Sequence, residues 1–398
     1  MMTNRKFENQ NRRNRQHSLK RCQGILEFHP NGFGFLRSPN SLAERSNDDV
    51  FVSGSMISKR QLKQGSFVQG LASPHSRRGN IRLREIEEVD GLNPMAYRNC
   101  PDFDSLRPVS PRKWLRLEQP FGGSTSMRIL DLLTPIGLGQ RALIASPPRA
   151  GKTTLLKQFG QSILNNYPDI RLVVLLIDER PEEVTEMQEE LGGDVFASCI
   201  DQDPLQHTRL TKIVIDRGKR MVEAGEDVVL LIDSLTRMAR SFNKLTVGRG
   251  AIGAGGLGIN ALNIPKKVFS SARATSNGGS LTILATALIE TENRMDEVIF
   301  QEFKGTGNMD LVLSQSAADQ RIFPAIDIAK SATRRVELLH DEKTLRTTTA
   351  LRRSLLTMKN GKAVAELIEK MQRFPTNEEF LNLIDSSLIG QRSHYSTS

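Results

Sequence analysis

The sequence predicts an α/β protein in two parts: a small N-terminal β-barrel, then a layered α/β domain with a helical C-terminus. Three observations carry this. Between Gly24 and about Val89, short alternating segments are separated by Gly, Asn, Ser and Pro, the spacing of a small barrel. From about residue 129 apolar runs alternate with helical patterns, as in a parallel sheet covered by helices. Between the two lies a proline-rich stretch with the single Trp114 and little periodicity. The expected divisions are a basic arm at residues 1–21, the barrel at 22–90, a connector at 91–128 and the α/β domain at 129–398.

The front of the chain carries the charge. The protein has 398 residues, with 55 Lys and Arg against 45 Asp and Glu, a net charge of +10. Residues 1–90 hold 16 basic and 9 acidic side chains, whereas the rest hold 39 and 36. Such an excess favours a polyanionic partner for the first part, although a solvated basic tail has the same composition. Arg5, Lys6, Arg12, Arg13, Arg15, Lys20 and Arg21 stand against Glu8 alone among few apolar residues, which predicts a disordered arm. Strands are expected at Ile25–Phe28, Gly34–Arg37, Val50–Val52 and Ser66–Val68.

Other classes are excluded early. Cys22, Cys100 and Cys199 form neither a disulfide framework nor a zinc spacing. No secretory leader is evident, and apolar runs such as Leu172–Ile177 fall far short of the ~20 residues a membrane span needs. The chain therefore reads as cytoplasmic, with no membrane partner.

In the second part, Arg141–Ser146, Leu172–Asp178, Val228–Asp233 and Leu281–Leu288 read as buried parallel strands. Thr153–Leu164, Pro181–Leu191 and Leu205–Glu223 read as helices, and so do the last 50 or so residues. Ser146-Pro-Pro-Arg149-Ala150-Gly151-Lys152-Thr153-Thr154 sits between a strand and a helix, the context a phosphate-binding loop needs. Backbone amides and the helix N-terminus can wrap phosphate oxygens. Lys152 would reach the β- and γ-phosphates of ATP, and the Thr153 hydroxyl would ligate Mg²⁺. Ser146 stands where the strict motif has glycine. Asp233 closes a buried strand, a metal-holding position in such folds, or else an N-cap for the next helix. Asp178 and Glu179 close another. Glu179 is placed to polarise the attacking water, or else to face the dipole of the helix after it.

PPRAGKTTLL, LLIDERPEEVTEMQ, LLIDSLTRMAR, GGSLTILATALIET, MDEVIFQEFKGTGNMDLVLS and RIFPAIDIAKSATRRVELL resemble, in order, the motifs of the bacterial transcription termination factor Rho family. The similarity covers roughly residues 24–385. It implies an OB-type barrel followed by a RecA-like P-loop ATPase domain with a helical C-terminus. The implied activity is that of a homohexameric, RNA-dependent ATPase. Such a ring moves 5′→3′ along single-stranded nascent RNA, unwinds RNA–DNA hybrid and releases transcripts from the RNA polymerase elongation complex. Carried over by residue, the resemblance makes Arg149, Ala150, Gly151, Lys152, Thr153 and Thr154 the phosphate cradle. Phe323 becomes the adenine-stacking ring, Asp233 the metal-site carboxylate, Glu179 the catalytic carboxylate and Arg180 a γ-phosphate sensor. Arg334 matches an arginine finger reaching a neighbouring subunit's nucleotide, and Arg321 another basic residue at the subunit interface.

Asn31-Gly-Phe33-Gly-Phe35-Leu-Arg37 and Asp49-Val-Phe51-Val-Ser53 resemble the RNA-binding strands of cold-shock and Rho-type barrels. Phe33, Phe35 and Phe51 could offer stacking faces, each worth ~1–3 kcal/mol, and Arg37 and Lys59 could neutralise phosphates. Alternating Phe on a strand also suits a core. A later barrel aromatic of the family is replaced by Asn80. The glycine-rich stretch Gly248–Gly258 resembles a pore loop that grips RNA, with Ala251 at the usual basic position and Arg249 two residues before it. A second pore element is expected near Glu292–Asp296, with Arg294 as its cation. The family's usual N-terminal helical bundle is replaced by the basic arm, which would attract RNA nonspecifically. Two rivals remain at this point: a rotary or protein-export ATPase sharing the same core, and an RNA-binding protein with a vestigial phosphate loop.

Overall fold

The computed structural model describes residues 19–39, 42, 46, 48–74, 81–119, 123–246, 253–358 and 360–395. The chain divides into two compact units, Met1–Pro101 and Asp102–Ser398.

Five strands close the first unit: β1 (Lys20–Phe28), β2 (Gly34–Arg37), β3 (Val50–Val52), β4 (Phe67–Pro74) and β5 (Ile81–Val89). Their order around the barrel is β1-β2-β3-β5-β4, with β4 returning to β1 and β3 running parallel to β5. Leu26, Leu36, Val50, Val52, Val68 and Leu83 fill the interior. Gly24 is required by the closeness of β1 and β2, because a Cβ there would lie 2.7 Å from the Arg37 carbonyl.

β5 is absent from the strands expected from sequence. Its buried residues Leu83, Ile86 and Val89 are spaced by three. Register shifts along the β4–β5 ladder break the two-residue alternation that would mark a strand.

The second unit is built on a sheet ordered β11-β10-β12-β14-β9-β15-β16. These are β9 (Arg141–Ser146), β10 (Arg171–Glu179), β11 (Asp194–Cys199), β12 (Asp227–Asp233), β14 (Ser280–Leu288), β15 (Met309–Val312) and β16 (Ala332–Thr333). All neighbours pair in parallel except β15 with β16. The helices Lys152–Asn166, Pro181–Leu191 and Pro204–Glu223 fall where their periodicity predicts, and Glu342–Leu356, Asn360–Met371 and Asn377–Tyr395 form the helical C-terminus. The parallel order matters functionally: it brings the C-terminal ends of β9, β14, β12 and β10 to one edge, where ligands bind in open α/β sheets.

The proline-rich stretch is not a plain connector. Tyr97 is buried in the barrel's apolar cluster and its hydroxyl meets Ser66 Oγ at 3.0 Å. Beyond Pro101 the chain belongs to the α/β unit. There β6 (Pro108–Val109) pairs with β13 (Arg273–Thr275), which itself pairs with β14, and β7 (Trp114–Leu115) pairs with β8 (Ile136–Gly137). Phe103 is buried beneath the Arg273 guanidinium, 4.5 Å from its ring centre. Two-residue strands carry no readable period, which is why this stretch looked structureless. No helix among the described residues is long and apolar enough to cross a membrane.

Candidate nucleotide site and nucleic-acid face

β9 ends at Ser146 and the helix after the loop starts at Lys152. The loop turns through two left-handed residues, Arg149 (φ 62°) and Gly151 (φ 86°). Gly151 is the position where the backbone itself demands glycine. Such turns aim successive amides into one concavity, a nest for phosphate oxygens.

Around this loop the strand ends gather charge. The Lys152 ammonium hydrogen-bonds the Asp233 carboxylate and lies 3.9 Å from Glu179 Oε2. Thr286 Oγ1 on β14 donates to Asp233 at 2.9 Å, fixing that carboxylate. The Thr153 hydroxyl faces the same side and donates to Glu183 Oε2 at 3.2 Å.

Glu179 owes its position to a bulge. Asp178 has φ 56°, and the β10–β11 register shifts between Ile177 and Glu179. The kink turns the Glu179 side chain inward until only 2% of the residue is exposed. Arg237 Nη2 holds its Oε1 at 3.1 Å, and Nη1 of the same guanidinium donates to the Asp178 carbonyl. Glu179 Oε2 is buried and accepts no hydrogen bond among the described residues. Burial, then repulsion from Asp233, raises the Glu179 pKa, against the pull of Lys152 and Arg237. A carboxylate with one oxygen held and the other unbonded beside Lys152 is fitted to accept a proton or orient a water.

Arg237 was missed in the sequence, although it stands one helical turn beyond the strand-end Asp233. It is the guanidinium on Glu179. Arg180, named for that neighbourhood, is exposed and begins the helix Pro181–Leu191.

Beside the loop opens a cavity of about 310 Å³ whose walls include Arg149, Ala150, Gly151, Thr154, Gln158 and Phe323. That size lies at the small end of small-molecule sites. Phe323 is 45% exposed, and its ring edge would lie 3.4 Å from a Cβ on Gly151. A planar ring at the cavity wall is available for stacking.

Arg334 and Arg321 lie elsewhere. The Arg334 amide donates to the Asn308 carbonyl at 2.9 Å, beside the start of β15. β15 runs parallel to β9 with Met309 opposite Ala142. Arg334 is therefore at the opposite edge of the sheet from the phosphate loop, separated by about 17 Å of strand at ~3.3 Å per residue. Arg321, at φ 58°, is exposed in the turn before Phe323. Arg294 is exposed at the first turn of the helix Arg294–Lys304, which Asn293 caps. Arg249, Ala251, Asn80 and residues 1–18 of the arm lie outside the described residues.

On the barrel, Phe33, Phe35 and Phe51 form one cluster. Phe33 is 5.6 Å from Phe35 and 5.3 Å from Phe51, and Phe35 is 6.0 Å from Phe51, between ring centres. All three are partly exposed, unlike the flanking Leu36, Val50 and Val52, which form the core. β2 and β3 thus alternate between barrel interior and an outer aromatic face. His29 adds a fourth ring, stacked on Phe33 at 4.3 Å and 8°; no motif singled it out.

Arg37 corrects an expectation. It is only 5% exposed, its guanidinium bonds Glu27 Oε2 at 2.6 Å and also the Asp49 carboxylate, and it lies 4.9 Å from the Phe35 ring centre. Two carboxylates already neutralise it, so it supports the Phe35 ring from beside it on the same face of β2 and is no free cation for phosphate. Asp49 is likewise turned inward, accepting from Arg37 and from the Ser46 amide at 2.8 Å.

The comparisons with known proteins match both parts. Residues 22–95 match the Rho termination factor RNA-binding domain. Residues 126–333 match the ATP synthase alpha/beta family nucleotide-binding domain. A transcription termination factor Rho from Haemophilus influenzae is 46% identical over 367 residues, spanning 92% of this chain and 87% of the relative. The chain belongs to the Rho family of transcription termination factors. The Rho of Thermotoga maritima is similar at 45% identity, covering 91% of this chain and 85% of its own length. Among solved structures, a type III secretion ATPase is 26% identical with TM-score 0.57 over 72% of this chain and 82% of its own. An ATP synthase subunit from Nanoarchaeum equitans, at 18% identity and TM-score 0.58 over 73% and 78%, shares the fold. The rotary and export ATPases, one of the two rivals, thus share the fold of the second part of this chain, and the match to the Rho RNA-binding domain sets this chain apart from them.

Proposed function

We propose that this chain is a cytoplasmic, ATP-driven RNA translocase that terminates transcription as a homohexameric ring. The observation carrying this reading is one chain's pairing of an exposed aromatic barrel face with a nucleotide site whose buried Glu179 keeps one oxygen unbonded. The loop amides and Lys152 would hold the β- and γ-phosphates of ATP, and Phe323 would stack on its adenine. Thr153 and Asp233, oxygen donors beside the loop, suit Mg²⁺, which supplies charge neutralisation on the phosphates when bound. Glu179 would orient and polarise the attacking water, with Arg237 and Lys152 keeping it ionised and Arg180 reaching toward the γ-phosphate.

Arg334 supports assembly into a ring. It stands at the far edge of its own sheet from its own phosphate loop, a position that suits service to a neighbouring subunit's nucleotide. Arg321 would lie at the same kind of seam. Hydrolysis would then drive 5′→3′ movement of nascent RNA past Arg249 and Arg294, pulling the transcript from the polymerase elongation complex. We assign the arm before Lys20 to nonspecific RNA attraction, the barrel unit ending at Pro101 to RNA binding and the unit from Asp102 onward to the motor. ATPase assays with and without cytosine-rich RNA test the reading. Turnover should rise strongly with RNA, and Lys152→Ala should abolish it while RNA binding persists. RNA-independent turnover would instead favour an export-type ATPase.

A further inference from the structure

The correction at Arg37 removes one of the two cations, Arg37 and Lys59, that the sequence offered the aromatic face. A single-stranded nucleic acid stacked on Phe33 or Phe51 brings a phosphate with every base, and an aromatic face alone cannot neutralise it. The barrel topology supplies a replacement. β3 runs parallel to β5, and Phe51 pairs with Arg82. The Arg82 guanidinium lies over the Phe51 ring, 5.9 Å from its centre. Phe51 in turn touches both Phe33 and Phe35, so Arg82 borders the whole cluster.

The two arginines at this face differ in one respect that decides their roles. Arg37 is buried and bound by two carboxylates. Arg82 is partly exposed and has no carboxylate within 4 Å among the described residues. Its neighbour two residues on, Arg84, is tied to Ser73 Oγ at 2.8 Å. A guanidinium over an aromatic ring with no carboxylate beside it among the described residues keeps its donors for phosphate.

We propose that Arg82 is the phosphate-gripping and strand-positioning residue of the RNA-binding face. This rests on the reading of the barrel as that face. No local signal marks Arg82, because β5 lacks a strand pattern and Arg82 lies in no motif.

The test is binding of a short 5′-labelled oligocytidine to the full-length protein without nucleotide, followed by fluorescence anisotropy across a salt series. Arg82→Ala should raise Kd at least about fivefold at low salt, the loss of one charge-assisted contact. It should also flatten the log–log salt slope by about 0.7, the single-strand value for one phosphate. Arg82→Lys should keep the slope. Phe51→Ala should raise Kd about tenfold with the slope unchanged. If Phe51→Ala weakens binding but Arg82→Ala alters neither Kd nor slope, the assignment of Arg82 is wrong while the barrel reading stands. A weaker Arg82→Ala complex with an unchanged slope also overturns it, since the residue would then act only through packing. If Phe51→Ala has no effect either, the barrel reading itself fails.

Discussion

The nucleotide site and the aromatic face use charge in opposite ways. At the nucleotide site, Lys152 and Arg237 are drawn against Glu179 and Asp233 at the ends of buried strands. Those four charges are paired with one another before a substrate arrives. At the aromatic face Arg37, Glu27 and Asp49 are buried and paired with one another beside the rings, whereas Phe33, Phe35, Phe51 and Arg82 are partly exposed. Chemistry on one phosphate needs fixed groups that cost no reorganisation. Holding a single strand needs stacking faces and exposed cations, which tolerate many sequences.

This contrast can be broken in order of expected size. Lys152→Ala removes the cation shared by Asp233 and Glu179. We expect ATP turnover to fall below detection, at least about 100-fold, with oligocytidine binding at the barrel unchanged in an anisotropy titration. Glu179→Gln keeps the shape and removes the base. A fall of roughly 100-fold or more in turnover, with nucleotide affinity retained, is the expected kinetic signature. Because the folded pKa of Glu179 is raised, wild-type turnover should decline on the acid side at a pH above the usual carboxylate value of 4.5. That limb should vanish in the glutamine variant.

Arg37→Ala would leave Glu27 and Asp49 facing each other in the barrel wall. Chemical denaturation should show a loss of about 3 kcal/mol, while the RNA salt slope stays near that of wild type, opposite to Arg82→Ala.

A last test sharpens the comparison from the structural side. Asp131 is a buried carboxyl that accepts from the Leu117 and Glu118 amides at 2.9 and 2.8 Å, and burial pushes its pKa up to about 7. The folded state therefore binds this proton more tightly than the unfolded chain. Its contribution is full below pH 3.8 and is lost as pH rises through about 7. Asp131→Asn should flatten that part of the stability–pH curve and leave the protein relatively more stable at pH 8, read by thermal denaturation. A curve unchanged by the substitution would remove Asp131 as the titrating group.

What the sequence revealed follows from how local each signal is. Arg141–Ser146, Gly34–Arg37 and Pro181–Leu191 are continuous patterns with clear ends, and the structure begins and ends them at those residues. Lys152, Thr153, Asp233 and Glu179 were legible because strand ends and a glycine turn mark them. Arg237 was not, since its role comes from a helix crossing toward a bulge in another strand. Arg37 was misread because its partner Glu27 lies on the neighbouring strand β1, where the motif does not reach. The Pro108–Val109 strand and the Tyr97 anchor escaped for the same reason: each is defined by a distant partner.

The most direct test measures ATP hydrolysis against oligocytidine concentration for the wild type and Phe51→Ala. The coupling proposed here predicts near-basal hydrolysis without RNA, a saturable rise with it, and a half-saturation point shifted about tenfold upward in the variant. Equal rates with and without RNA in the wild type would contradict it.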